Sequence, residues 1–344
     1  MVRRWRLAFA TTGFLALASA HADEYTVLGN WPTHVRLANG TDVGVSLLYQ
    51  YDIDRFAGDR GALRDAQTNR RRYLGFYLRK QDVYDVNVQY DHQSRQWVDT
   101  FVRVRTLGLI GHDLGHLRFG YTKTPVGFEG VTSSGATTFI ETALPVQAFW
   151  EGRRTGLDWA LPARHWVVNL GWYFVRHDLN GGNPGRTVAA RVAWLPWQRA
   201  GSVLHMGLSG SRETLLPDGG GATSTRFGAR PEAGLAPLRL VDTGVLGHAN
   251  RVDRRGVEAL WIHGPLSLQG EYLDVDVRRP DAGRYRANGW YAFATWTLTG
   301  ESRVYSDGNV ADRRYDGRDL STIRSAGRWG AVELALRYSR IDLD

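Results

Sequence analysis

Hydrophobic and polar residues alternate with a period of two through much of this chain. Val188, Val192 and Trp194 occupy one set of alternating positions and Arg191 occupies the other. This period is typical of a β-strand, whose successive side chains point to opposite faces. About 14 such segments, separated by turns rich in Gly, Asp, Asn and Pro, lie between Thr41 and Ile341. Most have about 9–14 residues, which is long enough for a tilted transmembrane strand.

The same alternation would fit a soluble β-sandwich whose apolar face packs on a core. Two features favour a membrane barrel. The polar positions are rich in arginine with scattered acids, and the apolar rows often end in Trp or Tyr, as in a wall with a wet lumen and aromatic girdles. The 13 tryptophans and 15 tyrosines fit such interfaces. The sequence therefore predicts an all-β fold, a transmembrane antiparallel β-barrel.

One long connection interrupts the regular succession of strands and turns. The segments around His116 and Pro162 are predicted strands, and the loop between them has roughly 28 residues, far more than a hairpin needs. Phe128, Phe139 and Trp150 in this loop require burial. We therefore expect the loop to fold into the lumen and narrow it.

The N-terminus carries the features of a secretory signal over residues 1–22. Arg3, Arg4 and Arg6 precede a short apolar run, and either Ala18-Ser19-Ala20 or Ala20-His21-Ala22 offers a cleavage site. Residues 23–344 are then predicted to form a single barrel domain. Loss of the three arginines lowers the formal net charge from +8 to +5, and the chain has no cysteine.

Arginine supplies nearly all of the positive charge, because Lys80 and Lys123 are the only lysines. Alternation predicts that seven arginines face the lumen, where they would outnumber the two acids placed there, Asp85 and Glu333. One interpretation is a basic track for anions, and the other is pairing with acids across the wall for rigidity. The seven are Arg71, Arg79, Arg103, Arg105, Arg118, Arg191 and Arg337.

The ends of the long loop hold further candidates. Lys123 begins the loop, so a loop folded inward would bring its ammonium near the narrowest point, where it could bind anions or remain an exposed lysine. Glu129 and Glu141 are predicted to pair with arginines of the wall. Arg153 and Arg154 are adjacent, so only one of them can face the lumen.

Six motifs, in order, carry a resemblance to a known family: LRFGYTKTPVGFEGVTSS, FIETALPVQAFWEGRRTGLDWA, STRFGARPEA, GPLSLQGEYLDVDV, GWYAFATWTLTGESRVY and WGAVELALRYSRIDLD. They resemble the phosphate-selective porin O and P family. The resemblance implies a 16-stranded barrel in the lipid of the bacterial outer membrane, a homotrimer, and a third loop that forms the constriction. It also implies passive diffusion of small anions, including phosphate or polyphosphate.

The chain departs from the family pattern in two respects. It ends at Asp344 without the last two strands and the terminal aromatic residue, which predicts a sequence truncated at the C-terminus. Phosphate selectivity in the family rests on several lysines, so with two lysines we expect a general anion preference. No cofactor, metal or nucleic-acid partner is predicted.

Three alternatives to an anion porin fit the sequence less well or remain open. A barrel lipase or protease would need a nucleophile beside a base, and His112, His116, His165 and His177 lie in no such motif. A structural or adhesin barrel would have polar external loops instead of an apolar inward one. A general, non-selective porin remains open.

Overall fold

The computed structural model describes residues 34–57, 63–80, 82–176, 179–180, 185–199, 201–217, 223–303, 305 and 330–344. The predicted signal peptide lies outside these residues. The strands of the principal sheet are β1 (His34–Arg36), β2 (Thr41–Asp54), β3 (Ala66–Lys80), β4 (Tyr84–Asp91), β5 (Gln96–Arg105), β6 (His116–Lys123), β7 (Arg153–Pro162), β8 (Trp166–Tyr173), β9 (Gly185–Arg199), β10 (Ser202–Leu215), β15 (Arg251–His263), β16 (Leu266–Arg279), β17 (Gly283–Thr297) and β18 (Glu333–Asp342).

Four short strands form two small sheets between β10 and β15: β11 (Ser224–Thr225) pairs with β14 (Leu246–Gly247), and β12 (Gly228–Ala229) pairs with β13 (Val241–Asp242). Two short helices, α1 (Thr106–Ile110) and α2 (Leu144–Phe149), complete the described elements. No helix in the described part of the chain is long and apolar enough to cross a membrane.

The principal sheet has 14 antiparallel strands, each beside its neighbour in sequence except that β10 pairs directly with β15. The sequence predicts about 14 strands between Thr41 and Ile341, and 13 of the strands of this sheet begin in that range. The first strand begins at His34, before the first predicted one. Strands β1 and β18 are the two edges of this sheet.

The two faces of the sheet differ in polarity in the way that the wall of a membrane barrel requires. One face exposes large apolar side chains, among them Leu47, Phe76 and Leu336. The opposite face carries charged residues that the rest of the molecule covers, and Arg103 and Arg191 are fully buried there. A soluble sandwich has the reverse arrangement, whereas a barrel wall puts apolar residues outside and polar residues inside. We call these the outer and inner faces.

Residues 124–152, which connect β6 to β7, lie against the inner face of distant strands. We name them the first inner segment. Its Val126, Val146 and Phe149 are buried in one cluster with Val275 of β16 and Tyr291 of β17. The apolar side chains of the loop are therefore buried against the inner face of the sheet, and the narrowing of a lumen by the loop stays a prediction.

A second connection, residues 223–250 between β10 and β15, also packs inside. We name it the second inner segment. Phe227 contacts Phe149 edge to face at 5.8 Å and stacks on Tyr285 of β17 at 6.3 Å. Short strand pairs hold this segment together, and no regular periodicity in the sequence indicates its position.

Gly120 illustrates how tightly the wall is built beside the first inner segment. Its backbone φ of 149° lies in a region that residues other than glycine rarely adopt. A Cβ at this position would also overlap the carbonyl oxygen of Thr100 and the Cα of Phe101 on β5. Glycine here permits the close approach of β5 and β6.

Candidate permeation site

Arg337 of β18 joins the two inner segments. Its guanidinium lies 2.5 Å from the Glu232 carboxylate of the second segment and 3.3 Å from the Glu129 carboxylate of the first. It also donates to the backbone carbonyl of Glu141 at 2.9 Å and lies over the Phe139 ring. Only 4% of its side chain is exposed. Such a buried cation holds its anionic partners strongly, because separating them would leave a charge without compensation.

Arg70 anchors the same junction from the other end of the sheet. It lies on β3 and binds the Glu141 carboxylate through two nitrogen atoms, and it also lies 2.9 Å from Asp52 of β2. A β-bulge between Gln50 and Tyr51 in the β2–β3 pairing falls opposite Arg70. A bulge adds a residue to one strand and changes which side chains face inward. Arg70 and its neighbour Arg71 therefore both lie on the inner side, although strict alternation would put adjacent residues on opposite faces.

Arg191 and Glu258 form a buried ion pair across β9, β10 and β15. The Nε of Arg191 lies 2.8 Å from Glu258 Oε1, and both side chains are fully buried. His205 of β10 lies between, with Nε2 2.8 Å from Glu258 and Nδ1 2.7 Å from the Tyr305 hydroxyl. The Phe128 ring of the first inner segment packs on Arg191 and His205.

Glu213 of β10 is the centre of a second buried cluster. It accepts hydrogen bonds from Arg154 of β7 and, at 2.9 Å, from Arg254 of β15. Arg254 also donates to the carbonyl of Phe149 at the end of α2. Arg154 in turn lies 3.0 Å from Glu151. These contacts attach the end of the first inner segment to three strands of the wall.

Carboxylates also hold the beginning of this segment. Glu271 of β16 accepts hydrogen bonds from the backbone amides of Phe128 and Glu129 at 2.7 and 2.6 Å. Glu129 accepts one from the amide of Ala143 at 2.9 Å. Burial of Glu129, which is not part of a spanning strand, raises the pKa of its carboxyl to about 8, against the lowering effects of the Ala143 amide and Arg337.

The arginines predicted on β3 and β5 lie on the inner face. Arg103 binds Asp85 at 2.7 Å, and Arg79 approaches the same carboxylate at 3.9 Å. Arg71 donates to the neutral side-chain amide of Gln50. The structure thus places two guanidinium groups beside one carboxylate and a third beside an amide.

Two further predicted arginines have close acidic partners. Arg118 of β6 binds Asp158 of β7 at 3.0 Å. Arg105 pairs with Asp82 and, at 2.6 Å, with Asp113, both in turns at the opposite end of the sheet from the inner segments. Arg105 therefore lies at the rim of the wall, away from the junction.

Lys123 is half-buried at the start of the first inner segment. Its Nζ donates to the carbonyl oxygens of Gly130, at 3.0 Å, and of Thr132. The Trp150 ring lies 5.3 Å from the same atom. This geometry ties the lysine to the fold of the segment, and its predicted role in binding permeating anions stays a prediction.

The adjacent arginines after the segment bind different acids. Arg153 pairs with Asp99 of β5 through two hydrogen bonds of 2.9 Å, whereas Arg154 reaches Glu213 on the inner face. Asp99 lies where the β4–β5 register shifts, between Asn87 and Gln89. Each arginine therefore has its own acidic partner, and the prediction that only one of the two faces the lumen stays a prediction.

The inner side holds many more acids than the two that the sequence analysis placed there. These include residues that bind Arg70, Arg118, Arg154, Arg191, Arg254 and Arg337, namely Asp52, Glu129, Glu141, Asp158, Glu213, Glu232 and Glu258. The expected excess of arginine over acid on the inner face was therefore wrong. Glu333, which was predicted there, pairs with Arg303 at 2.6 Å. Most inner arginines fix the wall and the inner segments to each other.

Comparison with known proteins agrees with this architecture. The profile of the family described as "Phosphate-selective porin O and P" matches residues 43–344. Porin O of Pseudomonas aeruginosa is 26% identical over 380 residues, an alignment that covers all of this chain and 85% of the relative.

Two solved structures are also similar, at low identity. An anion-selective porin from Comamonas acidovorans matches with a TM-score of 0.46 and 13% identity, over 75% of each chain. A loop-deletion form of OmpT, an outer membrane protein of Vibrio cholerae, matches with a TM-score of 0.46 and 11% identity, over 76% of this chain and 78% of the other. From the match over residues 43–344, the chain belongs to the phosphate-selective porin O and P family and is a porin of the bacterial outer membrane, a passive channel and not an enzyme.

Proposed function

We propose that this porin passes small anions, with a general preference for anions over cations, through a lumen narrowed by the two inner segments. The observation that carries the proposal is the arrangement on β3. Arg79 shares the Asp85 carboxylate with Arg103, and Arg71 donates to the neutral Gln50 amide. Three guanidinium groups therefore lie on the inner face of β3 and β5, where their positive charge would favour anions.

The chemistry of the arginine side chain suits this task. Guanidinium stays charged at any physiological pH and binds oxyanions with a planar set of donors. Selectivity in a channel follows from the charge and width of its lining. Weak, repeated contacts with Arg71 and Arg79 would attract anions without holding them, as rapid diffusion requires. Arg103, Arg118, Arg191 and Arg337 would act chiefly by fixing the shape of the passage.

Phosphate or polyphosphate is the finer proposal, and it rests on the family alone. A lysine can bind phosphate as a compact charge, but Lys123 already donates to two carbonyls. We therefore propose chloride and phosphate as comparable solutes. The homotrimer is likewise proposed from the family.

Planar-bilayer reversal potentials in a KCl gradient test the proposal. The wild-type porin should show anion preference, and Arg71→Gln combined with Arg79→Gln should reduce it. Arg36→Gln is a matched control, because Arg36 lies on the exposed strand β1 and pairs with Asp42 of β2. A reversal potential near zero in the wild type would indicate a non-selective porin. Added phosphate should reduce chloride current only at concentrations similar to those of chloride.

A further inference from the structure

The outer face of β10 and β15–β17 is divided into two zones along the strands. The first zone is apolar and includes Met206, Leu208, Val257, Tyr272 and Trp290, all exposed. In an outer-membrane porin, such side chains contact the acyl chains of the lipid. Tyr272 and Trp290 are paired across β16 and β17 at one limit of this zone.

The second zone begins immediately beyond that limit and is strongly basic. Arg212, Arg255, Arg284 and Arg286 lie on the same face as the apolar residues, because each is an even number of residues from one of them on its strand. Between 56% and 70% of each side chain is exposed. Arg255 is two positions from Val257, roughly 7 Å along the strand. These guanidinium groups therefore stand at the border of the apolar band.

The strand register brings these residues together. Arg212 is opposite Asp253, Arg255 is opposite Asp274, and Asp276 is opposite Arg286. Arg251, Arg278 and Arg284 lie in the adjoining row. We name this set the outer arginine patch: Arg212, Arg251, Arg255, Arg278, Arg284 and Arg286, with Asp253, Asp274 and Asp276. With six arginines and three aspartates its formal charge is +3.

The aspartates order the patch without cancelling its charge. Asp276 lies 2.6 Å from Arg284 and 3.2 Å from Arg286. Asp253 likewise serves both Arg212, at 2.7 Å, and Arg251, at 2.9 Å. Each of these two carboxylates thus holds two guanidinium groups in place, and the exposed donors that remain can bind another anion. Arginine forks of this kind match phosphate geometry.

The position of the patch identifies which leaflet it faces. The two inner segments, at 124–152 and 223–250, leave the sheet at the same end as the patch. At the other end five connections are short, at 37–40, 81–83, 163–165, 200–201 and 264–265, and two are longer, at 106–115 and 298–332. Outer-membrane barrels have short periplasmic turns and longer extracellular loops. The patch therefore lies on the extracellular side, at the depth of the headgroups of the outer leaflet.

We propose that the outer arginine patch binds the phosphate groups of the phosphorylated glycolipid in the outer leaflet. The acyl chains of that lipid would cover the apolar zone below, and its phosphates would lie against the arginine forks. An uncharged or zwitterionic headgroup would leave the net positive charge of the patch uncompensated. The site is separate from the lumen, so it acts on the placement of the porin in the membrane and not on permeation.

Binding of purified lipopolysaccharide to the folded porin in detergent tests this proposal. The triple variant Arg255→Gln, Arg284→Gln, Arg286→Gln should bind about tenfold or more weakly, because charged hydrogen bonds to several phosphate oxygens are lost. Arg164→Gln with Arg199→Gln, at the opposite end of the barrel, should bind as the wild type does. Chemically dephosphorylated lipopolysaccharide should bind the wild type as weakly as the triple variant binds the intact lipid.

Four outcomes would overturn the proposal. One is equal binding of the triple variant, and another is equal binding of the dephosphorylated lipid. The third is displacement of the lipid by millimolar inorganic phosphate, which would make the patch a site for free phosphate. A second triple variant with lysine at the same positions keeps the charge and should bind more tightly than the glutamine variant. Heat-modifiable gel mobility and the oligomeric mass verify the fold of each variant. If the glutamine variant loses its oligomers and the lysine variant keeps them, the patch is instead a contact between copies of the porin.

Discussion

Arg70 and Arg337 lie on the third and the fourteenth strands of the principal sheet, yet both donate hydrogen bonds to Glu141. Arg70 binds the carboxylate, with Nη2 at 2.7 Å, and Arg337 binds the backbone carbonyl at 2.9 Å. One residue of the first inner segment therefore connects strands near both edges of the sheet. The inner segment is thus part of what sets the curvature of the wall, as well as an obstacle within the lumen.

Removing the Glu141 carboxylate should loosen this connection. Glu141→Gln leaves Arg70 with Asp52 alone, and the segment loses its charged attachment to β3. We expect single-channel recordings to show a larger and noisier conductance. Asp65→Asn, which alters the exposed pair of Asp65 and Arg55, is the matched control and should leave conductance unchanged. A quiet, wild-type conductance in Glu141→Gln would contradict the role of Glu141.

Strands that alternate without interruption reveal from the sequence which side chains face inward. β9 buries every second residue, so the inner position of Arg191 could be predicted from the pattern alone. Alternation also placed Arg71, Arg79, Arg103 and Arg118 correctly on the inner face. These predictions need only the local geometry of one strand.

Irregular strand pairing and contacts between distant residues cannot be predicted from the sequence in this way. Arg70 was missed because a β-bulge turns it inward, and a bulge leaves no trace in the hydrophobic period. Glu232 was missed because the second inner segment has no regular periodicity. The partners of Arg337 are 105 and 208 residues away in the chain, so no local pattern could have indicated them.

The pair of Arg191 and Glu258 should dominate the stability of the central wall. Glu258→Gln removes the carboxylate that the fully buried Arg191 guanidinium binds and replaces the charged acceptor beside His205 with a neutral amide. Breaking a buried pair on one side costs about 3–5 kcal/mol of unfolding free energy. Urea unfolding in detergent micelles measures this loss. Asp42→Asn, which breaks the exposed pair with Arg36, should cost about 1 kcal/mol or less.

Lys123 offers a test that separates positioning from anion binding. Lys123→Met removes the donor to Gly130 and Thr132, so we expect the turn at the start of the first inner segment to loosen. Conductance should change while the reversal potential in a KCl gradient stays close to that of the wild type. The opposite result, an altered reversal potential at constant conductance, would show that the ammonium acts directly on permeating anions.

Glu129 should give the channel a dependence on pH that its arginines cannot. Burial raises the pKa of this carboxyl from 4.5 to about 8, so it is mostly protonated at pH 6 and ionised at pH 9. Ionisation adds a negative charge beside Arg337 and Glu232. Anion preference should therefore fall as the pH rises from 6 to 9. Guanidinium does not titrate in this range.

The same shift predicts the pH dependence of stability. Between pH 4.5 and about 8 the folded protein binds more protons at Glu129 than the unfolded chain does, so stability falls as the pH rises through this interval and then levels off. Glu129→Gln should remove both effects. Asp113→Asn is the control, because a hydrogen bond from Arg105 lowers the pKa of Asp113 and keeps it ionised throughout. A selectivity profile in Glu129→Gln that still falls between pH 6 and 9 would assign the titration to another group.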